Sequence, residues 1–284
     1  MLLWGAMPFF TNGMNPWYPI SIYKNILWLF IKQRLFRRGR DRRDEKLVVH
    51  DYTLSWTESI SENVTGRRLR IHKLYGRLGL YRSIDYRKFF VKHIFHTIAS
   101  LQPKNILELG SGNGINVLVM AVLYPTAQKI VGVELTEKGV ETGREALKNP
   151  PIKELMYLTE ESEETIRRRL KEVPIEFIKG DLTKLPFADK SFDFSFSLLV
   201  FEQMPGSYPE AFKEVRRVTA GHALFLEEFK EAQENIFQRV HLLNVDYFRA
   251  SFWEVTKAGL KVLRFEPLPI TKIKLSVGSL LCAS

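Results

Sequence analysis

Cysteine is nearly absent: Cys282 is the only one in 284 residues. An intramolecular disulfide is thereby excluded, as is a zinc site of clustered thiolates. Long apolar runs are missing too. A bilayer-spanning helix needs roughly 20 apolar residues, and the longest run here, Ile26 to Ile31, is flanked by Lys24 and Lys32. Met1 to Phe10 carries no basic segment and no small-residue cleavage site, so it does not read as a signal peptide. No repeat occurs at solenoid periods. No histidine pair stands at metal-ligand spacing, and no Ser-His-Asp order suggests hydrolysis. These absences fit a cytoplasmic protein without a metal centre.

Charge is unevenly spread. Residues 1–100 carry 18 Lys/Arg against 7 Asp/Glu, and residues 101–284 carry 24 against 25. The net charge of +10 therefore belongs to the N-terminal third. Apolar content of 45% and charged content of 26% exclude wholesale disorder.

Residues 1–19, with Pro8, Gly13, Pro16 and Pro19, read as an extended arm. Residues 20–37 read as a helix, followed by Arg38, Arg40, Arg42 and Arg43. Two readings of segment 20–43 stand open: a lid helix packed on the core, or an interfacial anchor on an anionic membrane surface. From Asp85 the pattern sharpens. Asp85 is expected to cap a helix carrying Phe89, Phe90, Ile94, Phe95 and Ile98, which Pro103 stops. Strands are predicted at 105–109, 129–133, 175–179, 192–198 and 222–226. Helices at 115–123, 136–147 and 208–218 alternate with them. Further helices run to about 258, with strands near 260–265 and 272–281. Alternation of this kind implies a parallel sheet with helices on both faces. An acid-then-base segment, Glu160 to Lys171, suits a solvated surface helix; a flap over the substrate is the alternative. The organisation expected is an N-terminal extension over 1–83 and a catalytic domain over 84–284.

Chemistry concentrates after the first of the alternating strands. Leu107-Glu108-Leu109-Gly110-Ser111-Gly112-Asn113-Gly114 joins strand to helix. The spacing is G-x-G-x-G, and isoleucine at 115 breaks the dinucleotide fingerprint G-x-G-x-x-G. No lysine follows, so a phosphate-binding P-loop is excluded as well. Glu134 ends the next strand, where a carboxylate can accept from two ribose hydroxyls. Asp181, followed by Leu182, ends the third, where a carboxylate can accept from an exocyclic amine such as adenine N6.

The segments ILELGSGNG, IVGVE, FIKGDLTKLPFADKSFDFSFS and GLKVLRFEPLP together resemble the class I S-adenosylmethionine-dependent methyltransferases. The likeness is to the small-molecule branch that includes ubiquinone and menaquinone methyltransferases, and it covers roughly residues 85–284. It implies a Rossmann-like, doubly wound α/β fold: seven strands, the last antiparallel, with an N-terminal helical extension. It implies S-adenosylmethionine as cofactor. Gly110, Gly112 and Gly114 would wall in its methionine and ribose parts, and Glu108 would lie near its amino group. Glu134 would hold the ribose, Asp181 and Leu182 would read the adenine, and Leu198 would line the floor.

The acceptor is less legible. No N/D-P-P-Y turn follows the fourth strand, which disfavours nucleic acid. Asn149-Pro150-Pro151 lies after the wrong strand and reads as a helix stop. The expected activity is therefore methyl transfer to an oxygen or carbon of a small acceptor, lipidic or phosphate-bearing. A catalytically inactive scaffold on the same fold is the alternative. Nothing in the sequence points to an oligomeric state. Glu202 is the first candidate for base or substrate-orienting group, against a plain helix-start carboxylate. His241 is the second. Glu227-Glu228 reads as an exposed strand end. Tyr75, Tyr81, Arg82 and Tyr86 are candidates to contact the cofactor's carboxylate. His50, Asp51, Tyr52 and His72 are possible pocket residues.

Overall fold

The computed structural model describes residues 24, 28, 69–74, 77–204, 206–244, 250–272 and 275–284. The expected arm and most of segment 20–43 lie outside these, as do Tyr75, His50, Asp51 and Tyr52. Lys24 and Trp28 are helical and exposed. No helix among the described residues is long and apolar enough to cross a membrane.

Nine strands form one sheet. They are β1 (Arg70–Leu74), β2 (Arg77–Tyr81), β3 (Asn105–Leu109), β4 (Lys129–Glu134), β5 (Ile175–Lys179), β6 (Phe192–Leu198), β7 (Thr219–Glu227), β8 (Lys261–Lys272) and β9 (Leu275–Ala283). Their order is β2-β1-β8-β9-β7-β6-β3-β4-β5. The pairs joining β3 to β7 are parallel, while β9 runs antiparallel between β7 and β8. This is the expected Rossmann-like sheet of seven strands with its last strand reversed. The strand count, however, is nine. The hairpin β1–β2 adds two strands by pairing β1 antiparallel to β8.

Alternation along the strands sends successive side chains to opposite faces. Ile106, Ile130, Phe194, Phe196, Leu224 and Leu226 pack under α1 (Ser83–Leu101), α2 (Ile115–Leu123), α4 (Ile152–Thr159) and α5 (Glu163–Glu172). Leu107, Leu109, Val131, Val133, Ala223 and Phe225 face the other way, onto α6 (Tyr208–Val218) and α8 (Trp253–Lys257). In that second layer Phe201 and Phe212 stack, and Phe225 meets both rings edge-on. The remaining helices are α3 (Glu137–Lys148) and α7 (Ile236–Asn244).

One local expectation changes. Asp85 is not the N-cap of α1. Arg82 is, and Asp85 sits three residues on, accepting from the Arg82 N–H at 2.9 Å and from its guanidinium at 3.0 Å. That reciprocal box needs an acid at the third helical position, which is where Asp85 falls. The charged segment becomes α5, which packs on α2 through Ile166 and Leu170, with Arg169 donating to the Val122 carbonyl at 2.7 Å. It is an outer-layer helix with exposed charges.

Candidate active site

Open α/β sheets bind ligands at the carboxyl ends of their strands. Here β3 ends in the glycine loop. Gly110, Gly112 and Gly114 adopt φ of 67, 53 and 78°. A side chain at Gly110 would also meet Val200, whose Cγ1 lies 2.6 Å from where its Cβ would be. Glycine is the residue that accepts both the left-handed backbone and that approach. The loop is pinned by Ser111 N–H donating to the Val133 carbonyl at 2.9 Å and Gly114 N–H to Ser111 at 2.9 Å.

Two carboxyls flank this loop. Glu134, at the end of β4 and 8% exposed, accepts from Gly112 N–H at 3.1 Å and from the Thr136 N–H and hydroxyl at 3.0 and 2.7 Å. Glu108 is buried within β3 and accepts from Asn116 Nδ2 at 2.7 Å; Asn116 Oδ1 in turn accepts from Arg87 at 2.7 Å. Burial pushes the Glu108 carboxyl up to about 8, against the Asn116 bond and the Arg87 charge, which favour ionisation. Asp181 follows β5 and accepts from Thr183 N–H at 2.8 Å through Oδ1. Leu182 beside it is buried.

The third part of the site lies where β6 and β7 end. Past Leu198, Leu199 takes a φ of 56° and turns the chain into Val200, the residue over Gly110. A short 3₁₀ turn, Phe201–Gln203, then buries Glu202. Glu227 ends β7 with no solvent exposure. Its Oε1 accepts from the Ser197 hydroxyl at 2.7 Å and from Val200 N–H at 3.1 Å. Burial pushes this carboxyl up to about 8, opposed by those two donors and reinforced by Glu202. Glu228, next in the chain, is fully buried too.

Buried polar atoms in folded proteins find partners, so exceptions call for an explanation. Among the described residues, Glu108 Oε2, Ser111 Oγ, Glu202 Oε2, Gln203 Oε1 and Glu227 Oε2 are buried without a hydrogen bond. All lie in β3 or its glycine loop, or where β6 and β7 end.

The structure thus gathers Glu108, Gly110, Gly112, Gly114, Glu134, Asp181, Leu182, Leu198 and Glu202 at one edge of the sheet. His241 lies half-buried on α7. The Arg82 side chain pairs with Asp85 and lies over the Tyr157 ring. Tyr86 is buried and Tyr81 half-buried. His72 lies in β1, with its side chain outside the described ones. No group of three His, Cys, Asp or Glu residues among those described is arranged to hold a metal ion. Glu227 is not the exposed strand end that its sequence position suggested, because its side chain turns under the β6 turn instead of outward. Asn116, which orients Glu108, carried no signal beyond its place one residue into α2.

Residues 107–226 match the model of a family described as a methyltransferase domain. No curated protein matches the chain. Among solved structures, the chain is similar to the [4+2]-cyclase SpnF at 13% identity. That alignment covers 87% of this chain and 98% of the other, with a TM-score of 0.57. It is similar to a Galdieria sulphuraria protein described as a sarcosine dimethylglycine methyltransferase, at 14% identity over 82% and 98% of the two chains, TM-score 0.55. Protein PH0226 of Pyrococcus horikoshii aligns at 16% identity over 72% and 92%, TM-score 0.50. At such identities the likeness is one of fold.

Proposed function

We propose that the chain is a class I S-adenosylmethionine-dependent methyltransferase that methylates an oxygen or carbon of a small acceptor, bound where β6 and β7 end; the match of residues 107–226 to a methyltransferase domain supports this reading. S-adenosylmethionine is the cofactor; when bound it supplies a methyl group on a sulfonium, an electrophile with a built-in leaving group. The residues present fit it. Glu108 and Ser111 carry orphaned buried oxygens beside the glycine loop, suited to the cofactor's amino-acid end. Glu134 accepts two backbone N–H groups and a hydroxyl, which leaves part of the roughly four acceptor positions of a carboxylate for a ribose hydroxyl. Asp181 spends one oxygen on Thr183 and keeps the other for the adenine amine, with Leu182 against the ring.

One observation carries the reading of the acceptor side: buried carboxyl oxygens without partners at Glu202 and Glu227. An oxygen or carbon nucleophile must shed a proton, and a carboxylate within reach is a suitable recipient. A phosphate placed against these acids would be repelled. A lipidic or otherwise apolar reacting end is therefore favoured, with any phosphate held away from it. Closeness and alignment supply the remainder of the rate.

The test is transfer of labelled methyl from S-adenosylmethionine into a desalted extract with membranes retained, then split into organic, aqueous small-molecule, RNA and protein fractions. Label in either small-molecule fraction supports the reading, and label in RNA or protein overturns it. Asp181→Ala serves as control. Its affinity for S-adenosylhomocysteine by calorimetry is expected to fall by about 1–3 kcal/mol; an unchanged value would remove Asp181 from the cofactor site.

A further inference from the structure

Arg87 sits half-buried in the second turn of α1, and its guanidinium meets no carboxylate among the described residues. Its hydrogen bond goes to a neutral group: Arg87 Nη1 donates to Asn116 Oδ1 at 2.7 Å. Drawing an arginine out of water without an acid beside it is costly. Burial lowers the Arg87 pKa, and the charge of Glu108 opposes the shift. The acid on which Arg87 acts is therefore Glu108, one amide away.

Asn116 decides what reaches Glu108. A side-chain amide has a donor end and an acceptor end, which exchange by a half-turn. Arginine only donates, so against Arg87 the oxygen end is the one accepted. That turns Nδ2 toward Glu108, where it donates to Oε1 at 2.7 Å. With Oε1 engaged, Glu108 Oε2 remains, buried and without a hydrogen bond. Glu108 is 1% exposed and Asn116 5%, so solvent does not take the place of either partner. Burial favours the neutral form of Glu108, while the Asn116 bond and the Arg87 charge favour the ionised one.

We propose that Arg87 is a positioning residue for the cofactor: acting through Asn116, it presents Oε2 of an ionised Glu108 to the cofactor's ammonium group. This rests on the cofactor reading above. Glu108 touches the ligand, and Arg87 and Asn116 act through it. Recognition of the amine is then governed from α1, which lies outside the residues 107–226 that match the methyltransferase domain.

The experiment is calorimetric titration of the full chain with S-adenosylhomocysteine and with its desamino analogue, which keeps the adenosine, the thioether and the carboxylate. The ratio of the two dissociation constants isolates the amine, whereas a merely loosened fold weakens both ligands alike. The unmodified chain is expected to prefer S-adenosylhomocysteine by about tenfold to a hundredfold, the worth of a hydrogen bond to a charged group. Glu108→Gln should remove most of that preference. Arg87→Leu and Asn116→Leu, checked for folding by circular dichroism, should each lower it at least severalfold. In the Glu108→Gln background Arg87→Leu should lower it no further, since its route is gone. Should Arg87→Leu not fold, Asn116→Leu carries the same test. A preference unchanged in the Arg87 and Asn116 variants would overturn the proposal. So would an equal loss for both ligands, or a further loss when Arg87→Leu is added to Glu108→Gln. Failure of S-adenosylhomocysteine to bind the unmodified chain would remove the cofactor reading and the proposal with it. Binding of both ligands with equal affinity would remove the proposal alone.

Discussion

Gly110→Ala is expected to weaken S-adenosylhomocysteine binding by about 2–5 kcal/mol, roughly thirtyfold to a few thousandfold. Two costs add. Alanine in the left-handed region loses about 1–2 kcal/mol relative to glycine. A Cβ placed 2.6 Å from Val200 Cγ1 overpacks a tight contact, which costs about 1–3 kcal/mol more. The loop escapes both by leaving its φ of 67°. The amides at Ser111 and Gly112, anchored to Val133 and Glu134, then lose their places. Gly110→Ala/Val200→Ala separates the terms, because it frees the overpacked space and leaves the backbone strain. About 1–3 kcal/mol should return in the double variant. Calorimetry for affinity and thermal unfolding for stability show where the strain goes. A single variant unchanged in both would show that the loop tolerates a side chain, and the glycine would lose its assigned reason.

Much of the architecture was legible because burial imposes period. Ile106 and Leu107 face opposite layers, so β3 announced itself by an apolar run ending in glycines. The strands 105–109, 175–179 and 192–198 and the helices 115–123 and 208–218 coincide with the elements read from sequence. The hairpin β1–β2 did not announce itself. Arg77, Leu78 and Leu80 of β2 are exposed, so no buried face imprints an alternation. Its place in the sheet is set by pairing to β8, a strand interrupted by Pro267 and by register shifts. Long-range pairing of an edge strand leaves almost no local signature.

The site follows the same division. Glu134 closes β4 and Asp181 follows β5 beside Gly180, positions that a strand-by-strand reading finds, whereas Glu108 lies within β3 and was named only through the family resemblance. Glu227 was misread because an acid at a strand terminus is ordinarily solvated. One signal could have found it. Ala223 and Phe225 lie on a buried face, and two residues further the alternation puts Glu227 on that same face. What no sequence pattern supplies is the partner: Ser197, thirty residues earlier. The Arg87–Asn116–Glu108 chain escaped for the same reason, since it joins two helices and a strand through side chains alone.

Those two buried acids also set an expected pH dependence, opposite in sign to that of a salt-bridged carboxylate. Glu108 and Glu227 are raised from an ordinary 4.5 to about 8. Between those values the folded chain binds more protons than the unfolded one, so stability falls as pH rises. The stabilising state is complete below about 4.5 and lost by the time pH passes about 8. At 1.36 kcal/mol per unit the ceiling is on the order of 4–5 kcal/mol per group. Relaxation and water entry reduce it. Even a third of the sum would move the melting temperature by several degrees. Thermal unfolding of the cofactor-free chain between about pH 5 and 9 should therefore show a falling melting temperature. Glu108→Gln and Glu227→Gln should each flatten the slope and be the more stable proteins at the alkaline end, since each replaces a carboxyl that ionises at a cost by a neutral amide. A melting temperature that holds level or rises from pH 5 to 8 would show that these carboxyls are ionised in the free fold. Where the slope is found, its origin is chemical. The fold keeps acids in places that glutamine would occupy at lower cost.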